Sequence, residues 1–173
     1  MTGKEFLNAV AGGRTDVLQA FLDAVRAAGA DYCVVGGLAV NAYAEPVVSL
    51  DLDVVLVASR VDEICAVLAG RFTVERFPHS LNLTCEESEL RIQLQTDPRY
   101  QDFLPRAEPK KVLGYDMRVA SAEDVIRGKA WAFQDAGRRP SKRQKDLADI
   151  MRLVEVIPSL SAALPPDIKA RLG

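Results

Sequence analysis

The chain has 173 residues, 49% of them hydrophobic, which is enough for one domain with its own core. Its formal net charge of -2 argues against a surface built mainly to bind nucleic acid, although it leaves room for a local basic patch. No apolar run reaches the roughly 18 to 20 residues that span a bilayer, and the first residues lack the apolar core of a signal peptide. We therefore expect a cytoplasmic protein without a membrane partner.

The N-terminal half of the sequence alternates helical and strand patterns. Thr15 or Asp16 can cap a helix with apolar residues at helical spacing, and a short β-rich run then stops at Gly36-Gly37. The pattern predicts helix 15–29, strand 32–35, a short helix over 38–43, strand 50–57 and helix 61–68.

The C-terminal half predicts three more strands and then helices. The strands are expected at 72–75, 81–85 and 90–95, and residues 97–115 look irregular because they are rich in proline and charge. Ser121 opens a capping box for a helix to about 133, a second helix follows over 142–156, and Pro165-Pro166 precedes a last short helix. The predicted class is α/β, with a core over 1–118 and a packed helical segment over 119–173.

Two aspartates inside a strand are the first candidate for chemistry. Residues two apart in a strand point to the same face, so Asp51 and Asp53 project together while Leu52 and Val54 face the core. Two carboxylates this close repel each other unless a cation lies between them. A hard divalent ion such as Mg2+ or Mn2+ meets this need and keeps positions free for phosphate oxygens.

The glycine pair is the second candidate. Gly36-Gly37 lies between a predicted strand and a predicted helix, where glycine lets the backbone approach a ligand closely and free amides can face an anion. Taken singly, a Gly-Gly turn is more often only a turn, and an Asp-x-Asp pair is more often a solvated strand end. The combination within two neighbouring apolar strands is more specific than either part.

This combination resembles the nucleotidyltransferase superfamily, in particular its minimal bacterial AbiEii-type toxin family. The resemblance covers about residues 15 to 156 and implies a polymerase-β-like mixed sheet flanked by helices. It implies that Asp51 and Asp53 hold the metal and are catalytic, while Gly36, Gly37 and Ser49 contact a nucleoside triphosphate. It also implies an acceptor hydroxyl on RNA, protein or a small molecule, and an antitoxin partner.

The resemblance extends to the C-terminal helices. The segments around Lys129 and around Asp146 look like the paired helical motifs of this family. By that similarity Lys129 is catalytic and contacts the nucleotide phosphates, and Asp146 positions that lysine or the acceptor. Asp146 and Asp149 lie three residues apart, so surface ion pairing is an equally plain interpretation. The basic residues 138–145 form either an RNA-steering patch or, more simply, a solvated helix entry.

One element of the family pattern is missing. Members of the superfamily usually supply a third carboxylate from a later strand, and the matching position here is Gln93. Glutamine can donate or accept a hydrogen bond but cannot act as a base. Asp97 is an alternative if the strand extends that far. Two hypotheses follow: a metal-dependent nucleotidyltransferase, or a degenerate domain that binds a nucleotide or a partner protein without chemistry.

Overall fold

The computed structural model describes residues 1–13 and 15–173. Within them, seven strands form one mixed sheet in the order β3-β4-β5-β2-β1-β7-β6. The pairs β1–β7 and β2–β5 are parallel, and the other four neighbouring pairs are antiparallel. The strands are β1 Tyr32–Val35, β2 Asp51–Leu56, β3 Thr73–Phe77, β4 Ser80–Cys85, β5 Ser88–Gln95, β6 Glu108–Val112 and β7 Tyr115–Val119.

The helices are short apart from three. Asp16 caps α2 by accepting a hydrogen bond from the Gln19 amide at 3.0 Å, and Ser121 caps α5 in the same way through the Asp124 amide. The helices are α1 Gly3–Val10, α2 Val17–Ala27, α3 Gly36–Val40, α4 Val61–Leu68, α5 Ala122–Gln134, α6 Pro140–Val156 and α7 Pro166–Lys169. Segments of 3-10 helix occur at Ala58–Arg60, Pro98–Arg106 and Pro158–Ala163.

The predicted α/β class with a mixed sheet and flanking helices is confirmed. Along β2 and β5, apolar and polar residues point to opposite faces of the sheet. Leu52, Val54, Ile92 and Leu94 are fully buried, whereas the aspartates and glutamines between them are only partly buried. One face therefore belongs to the core, and the other carries polar side chains toward α5 and α6.

One expectation about secondary structure is wrong, and one helix was missed. Residues 97–115 are not irregular, because they contain the 3-10 segment Pro98–Arg106 and most of the hairpin β6–β7. The hairpin turns at Leu113 and Gly114, both with positive φ. The lysines of β6 interrupt the apolar alternation by which a strand is recognised in the sequence. Helix α1 was not predicted, although Thr2 and Glu5 form a capping box at its start.

The last strand ends at Val119, after which α5 packs against both α3 and α6. A boundary between a core and a helical segment near residue 118 stays a prediction. In the part of the chain that the structure describes, no helix combines the length and the apolar character needed to cross a membrane.

Candidate active site

A pocket of about 230 Å3 lies between the polar face of the sheet and helices α5 and α6. It brings together six of the residues singled out from the sequence. They are Gly36 at the end of β1, Asp51 and Asp53 on β2, Gln93 on β5, Lys129 on α5 and Asp146 on α6. Gly37, Ser49 and Asp97 do not line it.

The backbone at Gly36 lies against the side chain of Asp53. Its φ is +71°, a conformation that side-chain-bearing residues rarely adopt. A Cβ atom built on Gly36 would lie 2.2 Å from Oδ2 of Asp53, a distance that no real contact allows. Glycine is thus required here both for the backbone conformation and for the close approach of the Asp53 carboxylate. Gly37 differs, since its Cβ would meet nothing closer than 3.8 Å.

Asp53 stands at the floor of the pocket without a partner. Among the described residues, its carboxylate is in no hydrogen bond or ion pair within the usual distances, although it is only partly exposed. Burial raises the pKa of Asp53, and the neighbouring charge of Asp51 raises it further, against the opposing effect of Lys129. The ionised form of Asp53 is therefore costly until a cation binds beside it.

Asp51 has the opposite environment. Its Oδ1 lies 2.9 Å from Nε of Arg91 on β5, and its Oδ2 lies 3.3 Å from Nζ of Lys142 on α6. Arg91 is paired with Asp51 in the parallel register of β2 and β5, so this contact follows from the sheet. Two exposed or half-exposed cations thus cover the outer carboxylate of the pair.

The two candidate positions for a third carboxylate, Gln93 and Asp97, lie in different surroundings. Gln93 lies directly beside Asp53 in the register of β2 and β5, at the position where the sequence pattern put it. Asp97 instead caps the 3-10 segment through the Arg99 amide and forms an ion pair with Arg99 at 2.8 Å. Only the glutamine faces the pocket.

Ser49 is buried just ahead of β2. Its hydroxyl accepts a hydrogen bond from the Asp51 amide at 3.2 Å, which fixes the start of the strand that carries the aspartates. The Oγ atom would lie 3.9 Å from a Cβ on Gly37, so Ser49 stands next to the glycine turn without entering the pocket. A direct contact of Ser49 with nucleotide stays a prediction.

Lys129 is held by two buried aspartates of α6. Its Nζ lies 3.1 Å from Oδ1 of Asp146 and 2.8 Å from Oδ2 of Asp149, and the lysine is only 6% exposed. Burial acts to lower the pKa of Lys129, but Asp149 and Asp146 outweigh it and raise the pKa. The i, i+3 spacing of the aspartates therefore serves a buried ion-pair cluster and not the surface pairing that the sequence also allowed.

Two arginines complete this buried cluster. Arg138 contacts Asp146 through Nε at 2.6 Å and Nη2 at 3.3 Å, and Arg152 lies 2.9 Å from Asp149. Although burial opposes it, the hydrogen bonds to Asp146 raise the pKa of the Arg138 guanidinium. The carboxylates of Asp146 and Asp149 each contact Lys129 and one arginine, so their charges are balanced inside the protein.

The sequence reasoning missed several residues of the pocket. Arg138 and Lys142 belong to the basic run 138–145, but Arg138 precedes α6, so no helical spacing indicated that both face the pocket. Arg91, which contacts Asp51 from β5, was not among the candidates either. Asn82, Gln95 and Tyr100 also line the pocket. Asn82 could have been found from its place between the apolar residues Leu81 and Leu83.

An aromatic cluster supports the pocket from the side of α5. Trp131 stacks on Phe103 with ring centroids 5.6 Å apart and meets the edge of Tyr100 at 5.2 Å. Arg99 lies over the Trp131 ring at 4.6 Å. Burial raises the pKa of Tyr100 to about 12, and the Asp53 charge adds to the rise. Trp131 is thus a packing residue one layer behind the pocket wall.

The donor set of the pocket fits a single hard cation. Asp53 offers an unpartnered carboxylate, Asp51 a second one on the same strand face, and Gln93 an amide oxygen between β2 and β4. Mg2+ commonly binds through one or two carboxylates and fills its remaining positions with water and phosphate oxygens. Over the described residues, there is no group of three or more His, Cys, Asp or Glu side chains suited to a metal ion. These side chains could therefore hold one cation whose remaining ligands come from water or substrate.

Comparison with known proteins gives matches in structure and not in sequence. No protein-family model matches the chain, and no curated protein sequence matches it. The solved structure of ANT(2″)-Ia in complex with adenylyl-2″-tobramycin is similar with a TM-score of 0.67 and 15% identity, over 91% of this chain and 97% of that chain.

Two further structures are similar at the same level. The lincosamide antibiotic adenylyltransferase LnuA with bound lincomycin has a TM-score of 0.57 and 13% identity, over 82% of this chain and 99% of its own. An antigenic nucleotidyltransferase-like protein from Paracoccidioides brasiliensis has a TM-score of 0.53 and 17% identity, over 96% and 91%. At these identities the likeness is one of fold, and the chain has the nucleotidyltransferase fold.

Proposed function

We propose that the protein transfers a nucleoside monophosphate from a nucleoside triphosphate to a hydroxyl group of an acceptor. The observation that carries this proposal is the contact between Gly36 and Asp53. A glycine turn pressed against an unpartnered carboxylate brings a backbone able to approach phosphate next to a group that needs a cation. The similar fold of antibiotic adenylyltransferases supports the same reaction class.

The reaction balances without any further reactant. The acceptor oxygen bonds to the α-phosphorus, the bond from that phosphorus to the bridging oxygen breaks, pyrophosphate leaves, and the hydroxyl proton is released to water. A Mg2+ or Mn2+ ion held by Asp51 and Asp53 would supply Lewis-acid stabilisation of the phosphoryl oxygens. The chain's own task is to position the triphosphate and the hydroxyl in line.

The phosphate contacts are best assigned to cations that remain at least partly exposed, even where they also contact an aspartate of the site. Arg138 and Lys142 line the pocket and remain about one-third exposed, and Lys145 reaches the glycine turn, its Nζ 3.8 Å from the position of a Gly37 Cβ. Lys129 is in contact with two aspartates, so its charge acts on the phosphates at longer range and it holds α6 in place. Asp146 then acts as a positioning residue for Lys129 and Arg138.

The double substitution Asp51→Asn and Asp53→Asn tests the proposal. Because it removes both carboxylates that would hold the metal, we expect transfer of label from α-phosphate-labelled triphosphates to fall by about 100-fold or more. Each of the four triphosphates is assayed with Mg2+ and with Mn2+. Glu75→Gln, on the exposed strand β3, is the control for a lost carboxylate elsewhere. Undiminished transfer in the double variant, with circular dichroism unchanged, would refute the assignment.

A second candidate function is nucleotide binding without turnover. It is favoured by one observation, the neutral Gln93 side chain beside Asp53 where a carboxylate would assist deprotonation of the acceptor. Measurable triphosphate binding, with no labelled product from any acceptor class, would select this function over transfer.

A narrower proposal follows from the resemblance to AbiEii-type toxins. In it the acceptor is RNA or protein, the basic residues at the start of α6 guide RNA, and an antitoxin restrains the activity. Expression of the wild-type chain would then slow growth, and expression of the Asp51→Asn, Asp53→Asn variant would not. Equal growth of the two strains, together with activity of the purified wild-type protein, would argue against the toxin role.

A further inference from the structure

Three amide side chains cross the pocket floor on the side away from Gly36. Asn82 on β4 pairs in register with Gln93 on β5, Gln93 pairs with Asp53 on β2, and Gln95 lies two residues further along β5. All three are partly buried and line the pocket. Across the described residues, none of the three amide groups makes a hydrogen bond within the protein. We call Asn82, Gln93 and Gln95 the amide row.

We propose that the amide row is the acceptor subsite and that the acceptor is an uncharged, hydroxyl-rich small molecule. This inference rests on the proposed nucleotidyl transfer. It deepens that proposal by assigning the chemical class of the second substrate and the side chains that bind it.

The strand order places the amide row opposite the phosphate-binding elements. Gly36 follows β1, which lies on one side of β2, and the amide row lies on β5 and β4, on the other side. In phosphoryl transfer the attacking oxygen enters opposite the leaving group. A triphosphate whose pyrophosphate end lies toward the glycine turn therefore receives its hydroxyl from the side of Gln93.

The chemistry of the amide row selects the acceptor. A primary amide has two N–H donors and an oxygen acceptor without net charge, so a row of three can bind several hydroxyl groups, which also both donate and accept. A ligand without matching hydroxyl groups would leave the partly buried amides unpaired, and this costs binding free energy. Compounds that lack these hydroxyl groups should therefore bind more weakly.

The charges around the row exclude cationic acceptors in particular. The pocket is lined by three carboxylates, those of Asp51, Asp53 and Asp146. Asp146 is neutralised by Lys129 and Arg138, and the aspartate pair belongs to the metal. No carboxylate among the lining residues therefore remains to pair with an ammonium group of an acceptor.

The first test is a transfer assay on acceptors separated by charge. A deproteinised low-molecular-weight extract of the cells that encode the protein is divided on ion exchangers into neutral, cationic and anionic fractions, and total RNA is assayed beside them. We expect label from the triphosphate to pass to a compound of the neutral fraction. Label confined to the cationic or anionic fraction, or to RNA, would overturn the inference while leaving nucleotidyl transfer intact.

If no fraction is labelled, calorimetry on the same preparation shows whether the protein binds the triphosphate. Triphosphate binding without a labelled product in any fraction would overturn the acceptor assignment and favour the binding function. Absence of triphosphate binding together with absence of transfer would overturn the proposed function itself, and the acceptor assignment with it.

The second test removes one amide while keeping the branching of the side chain. Asn82→Leu should raise the KM for the neutral acceptor about tenfold, the effect of one lost hydrogen bond, and leave the KM for the triphosphate unchanged. Thr84→Val is the matched control, because Thr84 lies on the same strand face but outside the pocket. Gln95→Met replaces Asn82→Leu if that variant fails to fold. An equal rise of both KM values, or no rise, would contradict the amide row as the acceptor subsite.

Discussion

The two pairs of aspartates in this protein differ in what balances their charge. Asp146 and Asp149, on helix α6, are buried against Lys129, Arg138 and Arg152. Asp51 and Asp53, on strand β2, face a pocket, where the outer carboxylate is covered by two surface cations and the inner one has no partner among the described residues. The charges of the first pair are balanced within the folded chain, whereas in the second pair the carboxylate of Asp53 has no balancing partner among the described residues.

This difference separates stability from function within one site. A buried ion-pair cluster is costly to break, because removal of one member leaves a charge in a medium that does not solvate it. An unpartnered carboxylate lowers stability until its ligand arrives, and proteins keep such groups where binding needs them. Substitutions of Asp146 and of Asp53 should therefore change stability with opposite signs, and three predictions test this comparison.

The largest effect on stability is expected for Asp146→Ala. The substitution leaves Lys129 with one aspartate and Arg138 with none, and we expect a loss of about 3 to 5 kcal/mol in the free energy of unfolding. Urea denaturation followed by circular dichroism measures it. Glu155→Ala, at an exposed position of the same helix, is the control and should change stability little. A loss as small as that of the control would show that the cluster is not an energetic unit.

Gly36→Ala should have the next largest effect. Alanine at a φ of +71° is strained, and its Cβ would collide with the Asp53 carboxylate, so we expect a cost of about 1 to 3 kcal/mol and displacement of Asp53. Gly37→Ala is a close control, since its Cβ would meet only ordinary contacts at 3.8 Å and beyond. Thermal denaturation compares them, and equal melting temperatures would contradict the close approach of Gly36 and Asp53.

The smallest effect, opposite in sign, is expected for Asp53→Asn in the metal-free protein. Burial raises the pKa of Asp53 in the folded state above its ordinary value of 3.8, so the folded chain binds this proton more tightly than the unfolded chain. The ionised carboxylate therefore destabilises the fold at neutral pH, and the cost disappears as the pH falls through the raised pKa. We expect the variant to be more stable at pH 7 by the order of 1 kcal/mol.

The difference between Asp53→Asn and the wild type should shrink toward pH 4 in EDTA. Saturating Mg2+ with a triphosphate should reverse its sign, because a ligand that binds only the folded wild type adds stability. A variant less stable than the wild type in EDTA at pH 7 would mean that Asp53 already has a stabilising partner, and the contrast between the two pairs would fail.

Much of the fold could be predicted because its central strands are apolar runs or alternate apolar and polar residues. In β5 and in the first half of β2 every second residue is apolar and buried, so both the strands and the polar face that forms the site can be read from the chain. Strand β6 could not, since Pro109, Lys110 and Lys111 interrupt any apolar pattern in a strand at the edge of the sheet. Edge strands often carry such residues, which hide them from pattern reading and protect them from pairing with other chains.

The site was predictable where its parts are close in sequence and not where they meet through the fold. The glycine pair, the aspartate pair and the missing carboxylate at Gln93 all lie on patterns of local spacing. Contacts of Arg91 and Lys142 with Asp51 depend on strand register and helix packing, which the sequence does not show. The burial of Lys129 between two aspartates likewise depends on the packing of α5 against α6.

The position of Trp131 gives this protein a built-in optical reporter. It is the single tryptophan of the chain, and its ring touches Tyr100, whose other side faces the pocket. A ligand that moves Tyr100, or changes the electric field around Tyr100, will alter the environment of Trp131, and no other indole contributes to the emission. Binding of the proposed nucleotide, metal and acceptor could thus each be tested by emission from unlabelled protein, with each titration reporting on the same wall of the pocket.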